Sequence, residues 1–405
     1  MNSFWNLTGY EYKKILRKKS AIVILVLAIA VAALCNYGTV IGYEYVNGQP
    51  SVSKMQSMKI DRAYTKALSG RALDSELMME TAEAYAKVPV DGKYTDTEEY
   101  QTYARPYSQI YGIMRVVMND SADKFAVTDL QDLTQEQADS FYSKRNEKLE
   151  RTINEMAIGD ASKEKLLEMS EKVKTPYVIE YADGYTRFFT ILYTIGILAS
   201  FVTAILLSPM FAGEYTSGAD QLILTSKHGK NLLIRSKLFV AMTFSAGLCL
   251  FFMLMTYLQC MLMYGFNGAN AQIQLYLPLS VYPLTMGQVG IIFAVCFLFA
   301  NLMVTALTVL LSAKMKSPFG VIIIIAALII VPMFISSSDN SALLNNLLCL
   351  LPTNMMALWN VLSSFMFEFF GASVEPYIIM PIFAAAIVSV SLPFAYRIFK
   401  NHQIA

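Results

Sequence analysis

Charge is missing from long stretches of this 405-residue chain. Between Leu238 and Ala313, 76 residues pass without one Asp, Glu, Lys or Arg. A bilayer core takes about 20 apolar residues per helix, and each central charge costs about 2.5–3.5 kcal/mol on insertion. The run is too long for one crossing and suits two, with a hairpin where Gly268, Pro278 and Pro283 interrupt it. Histidine is scarce as well, with only His228 and His402. No His, Cys and carboxylate cluster has zinc spacing, and no Gly-x-Ser-x-Gly elbow occurs. No Gly-x-x-x-x-Gly-Lys-Ser/Thr phosphate loop occurs either; Gly229-Lys230-Asn231 lacks the leading glycine and the hydroxyl. The expectation is a chain that holds no metal or cofactor and does not hydrolyse ATP by itself. Cysteine is absent from the polar part, since Cys35, Cys249, Cys260, Cys296 and Cys349 all lie in apolar segments. A disulfide scaffold is therefore excluded there, and about 145 residues suffice for an independent core.

What charge there is has been sorted. Residues 44–187 hold 25 of the 31 acids and 19 of the 32 bases. We expect an all-α membrane protein with a hydrophilic domain at 44–187. Its first span is 20–43, and five more lie near 188–212, 238–266, 286–312, 317–338 and 376–396. The uncharged segment 340–367, broken by Pro352 and several Asn, predicts a partly re-entrant pair of short helices.

Basic residues set the orientation. Lys13, Lys14, Arg17, Lys18 and Lys19 precede the first span; Lys227, Lys230, Arg235 and Lys237 lie between the second and third. Lys314 and Lys316 separate the fourth from the fifth, and Arg397 and Lys400 follow the sixth. Loops 267–285 and 336–375 contain no Lys or Arg. Both termini are therefore expected in the cytoplasm and 44–187 outside, in a bacterial cytoplasmic membrane. The first span reads as an uncleaved signal-anchor. Residues 1–19 mix Phe4, Trp5, Leu7, Tyr12, Ile15 and Leu16 with Glu11 and the bases. That pattern suits an amphipathic helix lying on the lipid of an anionic leaflet. The outer domain shows helical spacing over Ser53–Lys87, Asp96–Met118 and Thr134–Ile158, with a capping box at Thr134-Gln135-Glu136-Gln137.

The spans lack the buried acids and bases that ion-coupled transporters use. Their mild polar residues include Asn36, Gln259, Asn301 and Thr305. Two readings stand for these: hydrogen bonds between helices, or contacts along a substrate pathway through Gln259, Asn301 and Thr305. Gly213, Pro209, Pro318 and Pro332 are candidate hinges. Glu368 and Glu375 stand near the outer mouth, either solvated or facing a cationic substrate.

The loop 213–237 is the most patterned feature. Glu214 at its start and Lys227 near its end suit a short amphipathic helix with matching end charges. Tyr215, Gly218 and Asp220 lie within it, and Leu222 and Leu224 form an apolar handle for a soluble partner. The progression Glu214, Gly218, Leu222/Leu224, Ser226, Arg235, Lys237 resembles the cytoplasmic coupling loop of type 2 ATP-binding-cassette (ABC) transporter permeases. The six spans, the N-terminal helix and the outer helices between spans five and six extend that resemblance. The large domain after span one, with Tyr181-Ala182-Asp183-Gly184-Tyr185 entering span two, looks like the subgroup of sodium, bacteriocin and antibiotic exporters. The resemblance implies a cognate ATPase on a separate chain, carrying ATP and Mg and docking on 214–227. It also implies a second permease, either another copy or a relative, and no nucleic-acid partner. The function expected is export of an amphiphile, such as a peptide, antibiotic or lipid. The alternative is a mechanical or sensory membrane protein whose outer domain transmits or detects without transport.

Overall fold

The computed structural model describes residues 2–90, 92–120, 124–226, 229–335 and 341–402. The chain is 75% helical. Among the described residues, five helical stretches are long and apolar enough to cross a membrane, which makes this a multi-pass membrane protein.

Helix α1 (Asn2–Leu16) runs into α2 (Lys19–Tyr37) through a two-residue elbow. Helix α2 is apolar around its whole circumference, so its sequence selects a lipid environment rather than one core face. It buries only the small residues Ala21, Ala28 and Ala32, with Asn36 at the end. Small side chains at such spacing let helix backbones approach closely.

The hydrophilic domain opens with a hairpin, β1 (Tyr43–Val46) and β2 (Gln49–Ser53). Seven helices follow: α3 (Lys54–Leu68), α4 (Ser75–Tyr85), α5 (Ser108–Met118), α6 (Val127–Gln131), α7 (Gln135–Asp139), α8 (Phe141–Glu155) and α9 (Asp160–Glu171). The predicted helix 53–87 divides at Gly70, where Ala72 bridges Val178 and Asp74 caps α4. The predicted helix 96–118 is regular only after Pro106, because the ring there removes a backbone donor. The predicted helix 134–158 restarts at Ser140, but its capping box forms: Gln137 N donates to Thr134 Oγ1 and Thr134 N to Gln137 Oε1. Leu77, Met78, Ile110, Met114, Leu130, Phe141 and Leu166 fill the core between these helices.

The membrane part resumes with α10 (Asp183–Leu207), α11 (Pro209–Ser217), α12 (Ala219–Thr225), α13 (Ile234–Tyr264), α14 (Met286–Lys314) and α15 (Pro318–Ile330). Then come three short helices, α16 (Ala342–Cys349), α17 (Pro352–Met355) and α18 (Leu358–Val361). A second hairpin, β3 (Phe367–Phe369) and β4 (Ala372–Val374), leads to α19 (Pro376–Lys400). Helices α10 and α14 form the centre: each buries 56% of its most apolar window, against 22% for α2 and α19.

Two expectations need correction. The chain is not all-α, because it carries two hairpins. Their turns, Asn47-Gly48 and Phe370-Gly371, hold both central residues at positive φ. That is the tight mirror-image turn that joins antiparallel strands, and Asn-Gly is its strongest sequence signal. The pair of short helices in 340–367 is three, with residue 340 outside the described residues. They do turn back into the bundle: Thr353 donates to the Ile329 carbonyl (2.7 Å), and Asn301 Nδ2 lies 3.3 Å from Met356 Sδ. Asn301 sits near the middle of α14.

The hydrophilic domain is keyed to the loops at its end of the bundle. Arg145 on α8 is fully buried and donates to the Pro278 and Ser280 carbonyls (3.3 and 3.1 Å). Its guanidinium lies over the Tyr177 ring, whose hydroxyl donates to the same Pro278 carbonyl (2.9 Å). Lys165 on α9 pairs with Glu375 (2.9 Å), and Ser162 bonds Glu368. These two acids are thus engaged within the chain.

Candidate functional site: the junction at the basic end

At the other end of the bundle, α1, α11, α12 and the ends of α13, α14 and α19 converge. The cause begins at Pro209, which cannot continue the backbone ladder of α10. Ser312 on α14 repairs the break. Its hydroxyl donates to the Ser208 carbonyl (2.7 Å) and accepts from the amides of Phe211 and Ala212 (3.0 and 3.1 Å). A freed backbone group at membrane depth needs such a partner. Helix α11 then ends at Gly218, whose φ of 68° closes the helix in the left-handed region. Helix α12 starts directly after it.

Inside the junction lies a four-charge network. Lys237 on α13 is fully buried, and its Nζ donates to Glu11 Oε2 (3.0 Å), Glu214 Oε1 (2.6 Å) and the Met210 carbonyl (3.3 Å). Lys14 on α1 donates to the same Glu214 oxygen (2.7 Å). Glu11 and Glu214 are 4% and 3% exposed, so solvent does little to relieve either charge. Burial pulls the Lys14 ammonium down, but the Glu214 carboxylate, helped by Glu11, holds the group above its ordinary value. Thr8 shares a hydrogen bond with Ser236 (2.9 Å) and Tyr12 with Thr243 (2.6 Å). Phe4 and Trp5 pack edge-on to Phe239. The N-terminal helix is therefore clamped onto α13.

The C-terminal helix closes the other side. The Tyr215 ring packs, tilted, against Phe399 (5.5 Å) and His402 (4.4 Å), and its hydroxyl donates to the Ala313 carbonyl (2.8 Å). His402 Nε2 lies 3.5 Å from Asp220 Oδ2. Thr216 donates to the Lys316 carbonyl (2.9 Å), and Tyr396 to Asn231 Oδ1 (2.7 Å).

These positions redistribute the roles expected in the loop. Glu214 is not the opening acid of a coupling helix; it is a buried ion-pair partner within α11. Asp220 is the first-turn acid of α12, where the helix dipole favours it. The two leucines separate: Leu222 is 76% exposed, while Leu224 is 5% exposed and belongs to the same buried apolar cluster as Leu207 and Phe211. Lys227 lies outside the described residues, as does His228. The polar span residues are each bonded to a neighbouring helix, with Asn301 and Thr305 one turn apart on α14. Gln259 accepts from Asn36, Asn301 Oδ1 accepts from Ser200 (3.0 Å), and Thr305 shares a hydrogen bond with Ser245 (2.5 Å). Each bond joins two helices.

Glu11 was the signal easiest to miss. It is the lone acid on a basic helix, and a lone acid there asks for a buried cation. Lys237 stands one residue before the 76-residue uncharged run, where a base reads equally well as a topology marker. Among the described residues no group of three or more His, Cys, Asp and Glu converges on a possible metal site. Comparison with family models, with curated proteins and with solved structures found no match.

Proposed function

We propose that this chain is the membrane subunit of an ATP-driven exporter of the type 2 ABC kind, with ATP and Mg bound on a separate ATPase chain. One observation carries the reading. Helix α12 hangs at the basic end with Leu222 exposed and Leu224 and Asp220 anchored. It is braced by α11, α14 and α19, and through Glu214 by α1 and α13. A soluble partner pressing on Leu222 would load all of these together.

The basic end faces the cytoplasm of a bacterium on this reading, and the hydrophilic domain faces out. Six crossings fit it. Pro318–Phe334 combines thirteen α-helical and four tighter residues, or about 20 Å plus about 8 Å, close to the ~30 Å bilayer core. It begins beside Thr216 at the basic end, and α19 returns to that end, so the intervening chain must reach the far side. The substrate is an amphiphile, because away from the junction the spans offer fixed charge only at Asp183 and Arg187, at the opening of α10. A second permease completes the pathway.

The test is affinity purification of the detergent-solubilised chain from its native membrane. A stoichiometric ATPase that is lost with Leu222→Arg, while the variant stays monodisperse, supports the reading. An intact chain with no ATPase sinks it and favours a mechanical or sensory protein, whose outer domain is keyed to the bundle through Arg145 and Lys165.

A further inference from the structure

The elbow between α1 and α2 opens into a cleft of about 250 Å³ against the end of α10. Its lining has two halves. Lys14, Lys18 and Ser20 supply polar heads, and Ile24, Ile205 and Leu206 supply an apolar wall. Glu11 also borders it, but its carboxylate is committed to Lys237. Five bases cluster at this elbow: Lys13, Lys14, Arg17, Lys18 and Lys19. Among the described residues, Lys14 alone of the five has a carboxylate within 4.0 Å. Unbalanced positive charge therefore sits beside an apolar slot, at the level where the spanning helices begin.

We propose that this cleft holds one anionic glycerophospholipid. Its phosphate rests against Lys14 and Lys18, and the start of an acyl chain lies along Ile24, Ile205 and Leu206. A free phosphate would leave the apolar wall bare, and a zwitterionic head would gain less from the lysines. The lipid would brace α1, and with it the Glu11 contact to Lys237. The proposal rests on the membrane character of the chain and not on ATP-driven transport, so either can fail alone.

Native mass spectrometry of the purified full chain, titrated with phosphatidylglycerol or phosphatidylcholine, tests it. One phosphatidylglycerol should be retained in preference to phosphatidylcholine. Lys18→Gln should weaken that binding about fivefold, the contribution of one base at a membrane surface. Leu206→Trp, which fills the apolar half, should weaken it too. Lys18→Arg should preserve it, and Lys13→Gln, outside the cleft, should leave it unchanged. Equal retention of phosphatidylcholine overturns the proposal. So does a loss with Lys13→Gln as large as with Lys18→Gln, which would mean diffuse surface attraction. Displacement by millimolar inorganic phosphate would reassign the cleft to a free anion. Should Leu206→Trp fail to fold, the Lys13 and Lys18 comparison decides alone.

Discussion

Replacing Lys237 by Met removes the one cation that touches both buried carboxylates. At an effective dielectric of about 20, charges 2.6 and 3.0 Å apart attract by roughly 6 and 5.5 kcal/mol. Much of that gain offsets the several kcal/mol it costs to bury each ion. The variant no longer buries the ammonium, but Glu11 and Glu214 stay buried with only Lys14 between them. Breaking a buried pair on one side costs about 3–5 kcal/mol, and that is the expected loss for Lys237→Met. Glu214→Leu in the same background should restore much of it, because Glu11 and Lys14 then remain as one acid and one base. The double variant should be more stable than the sum of the singles by about 1–3 kcal/mol. Unfolding of the purified chain by SDS in mixed micelles measures each corner of this cycle. A loss below about 1 kcal/mol for Lys237→Met would mean that water relieves the carboxylates. Additivity within about 0.5 kcal/mol would mean that the two residues do not share a network.

Arg145→Met should cost only about 1–3 kcal/mol, because Tyr177 and Gln274 still donate to the Pro278 and Ser280 carbonyls; faster hydrogen exchange in loop 267–285 would register it. The Arg71 guanidinium and then the Tyr107 hydroxyl hold Glu80 below the usual carboxylate value. Its stabilisation is therefore present above pH 4.5, the unfolded value, and is lost as pH falls through the depressed one. The melting difference between wild type and Glu80→Gln should accordingly close on acidification; a difference constant with pH refutes the assignment. Replacing Glu11, Lys14, Glu214 and Lys237 together by Leu, Met, Leu and Met should leave stability within about 2 kcal/mol of the parent. It should broaden the distance distribution between spin labels at Tyr10 and Asn231, and an unchanged width would deny the network any role in register.

Much of the membrane frame was legible because it rests on strong, additive signals. An uncharged run of the length of 238–313 has few alternatives, although α10 begins and ends five residues ahead of the expected 188–212. The hydrophilic domain was readable as helical but not in its breaks. Gly70 and Pro106 punctuate it, yet the break at Gly70 depends on the Ala72 bridge to Val178, a pairing 106 positions away. The hairpin at Asn47-Gly48 was readable from that dipeptide alone. The hairpin at Phe370-Gly371 was not, since Phe seldom adopts positive φ without tertiary support. The loop 213–237 shows the limit most sharply. Whether Glu214 faces a partner or the interior is decided by Glu11 and Lys237, which periodicity cannot place beside it.

That placement changes what the loop can do on the proposed reading. An exposed Glu214 would be a recognition residue, and its loss would affect docking alone. A buried Glu214 makes α11 part of one body with α1 and α13, while Tyr215 and Asp220 join the same body to α14 and α19. A push on Leu222 then cannot be absorbed by a flexible loop, because the helix that carries it has no slack between Gly218 and Leu224. The compliant points lie elsewhere. Pro209 interrupts the ladder of α10, where the Ser208 hydroxyl on the Ile205 carbonyl and the Ser312 hydroxyl on the Ser208 carbonyl stand in for it, and Pro381 and Pro393 lie inside α19. Bending at those breaks would let the junction tilt as a unit against the outer half of the bundle, where Met356 packs against Asn301. On these grounds, substitutions at Ser312 should alter the response to a bound partner more than substitutions at exposed Gln221, although Gln221 lies nearer to where that partner would sit.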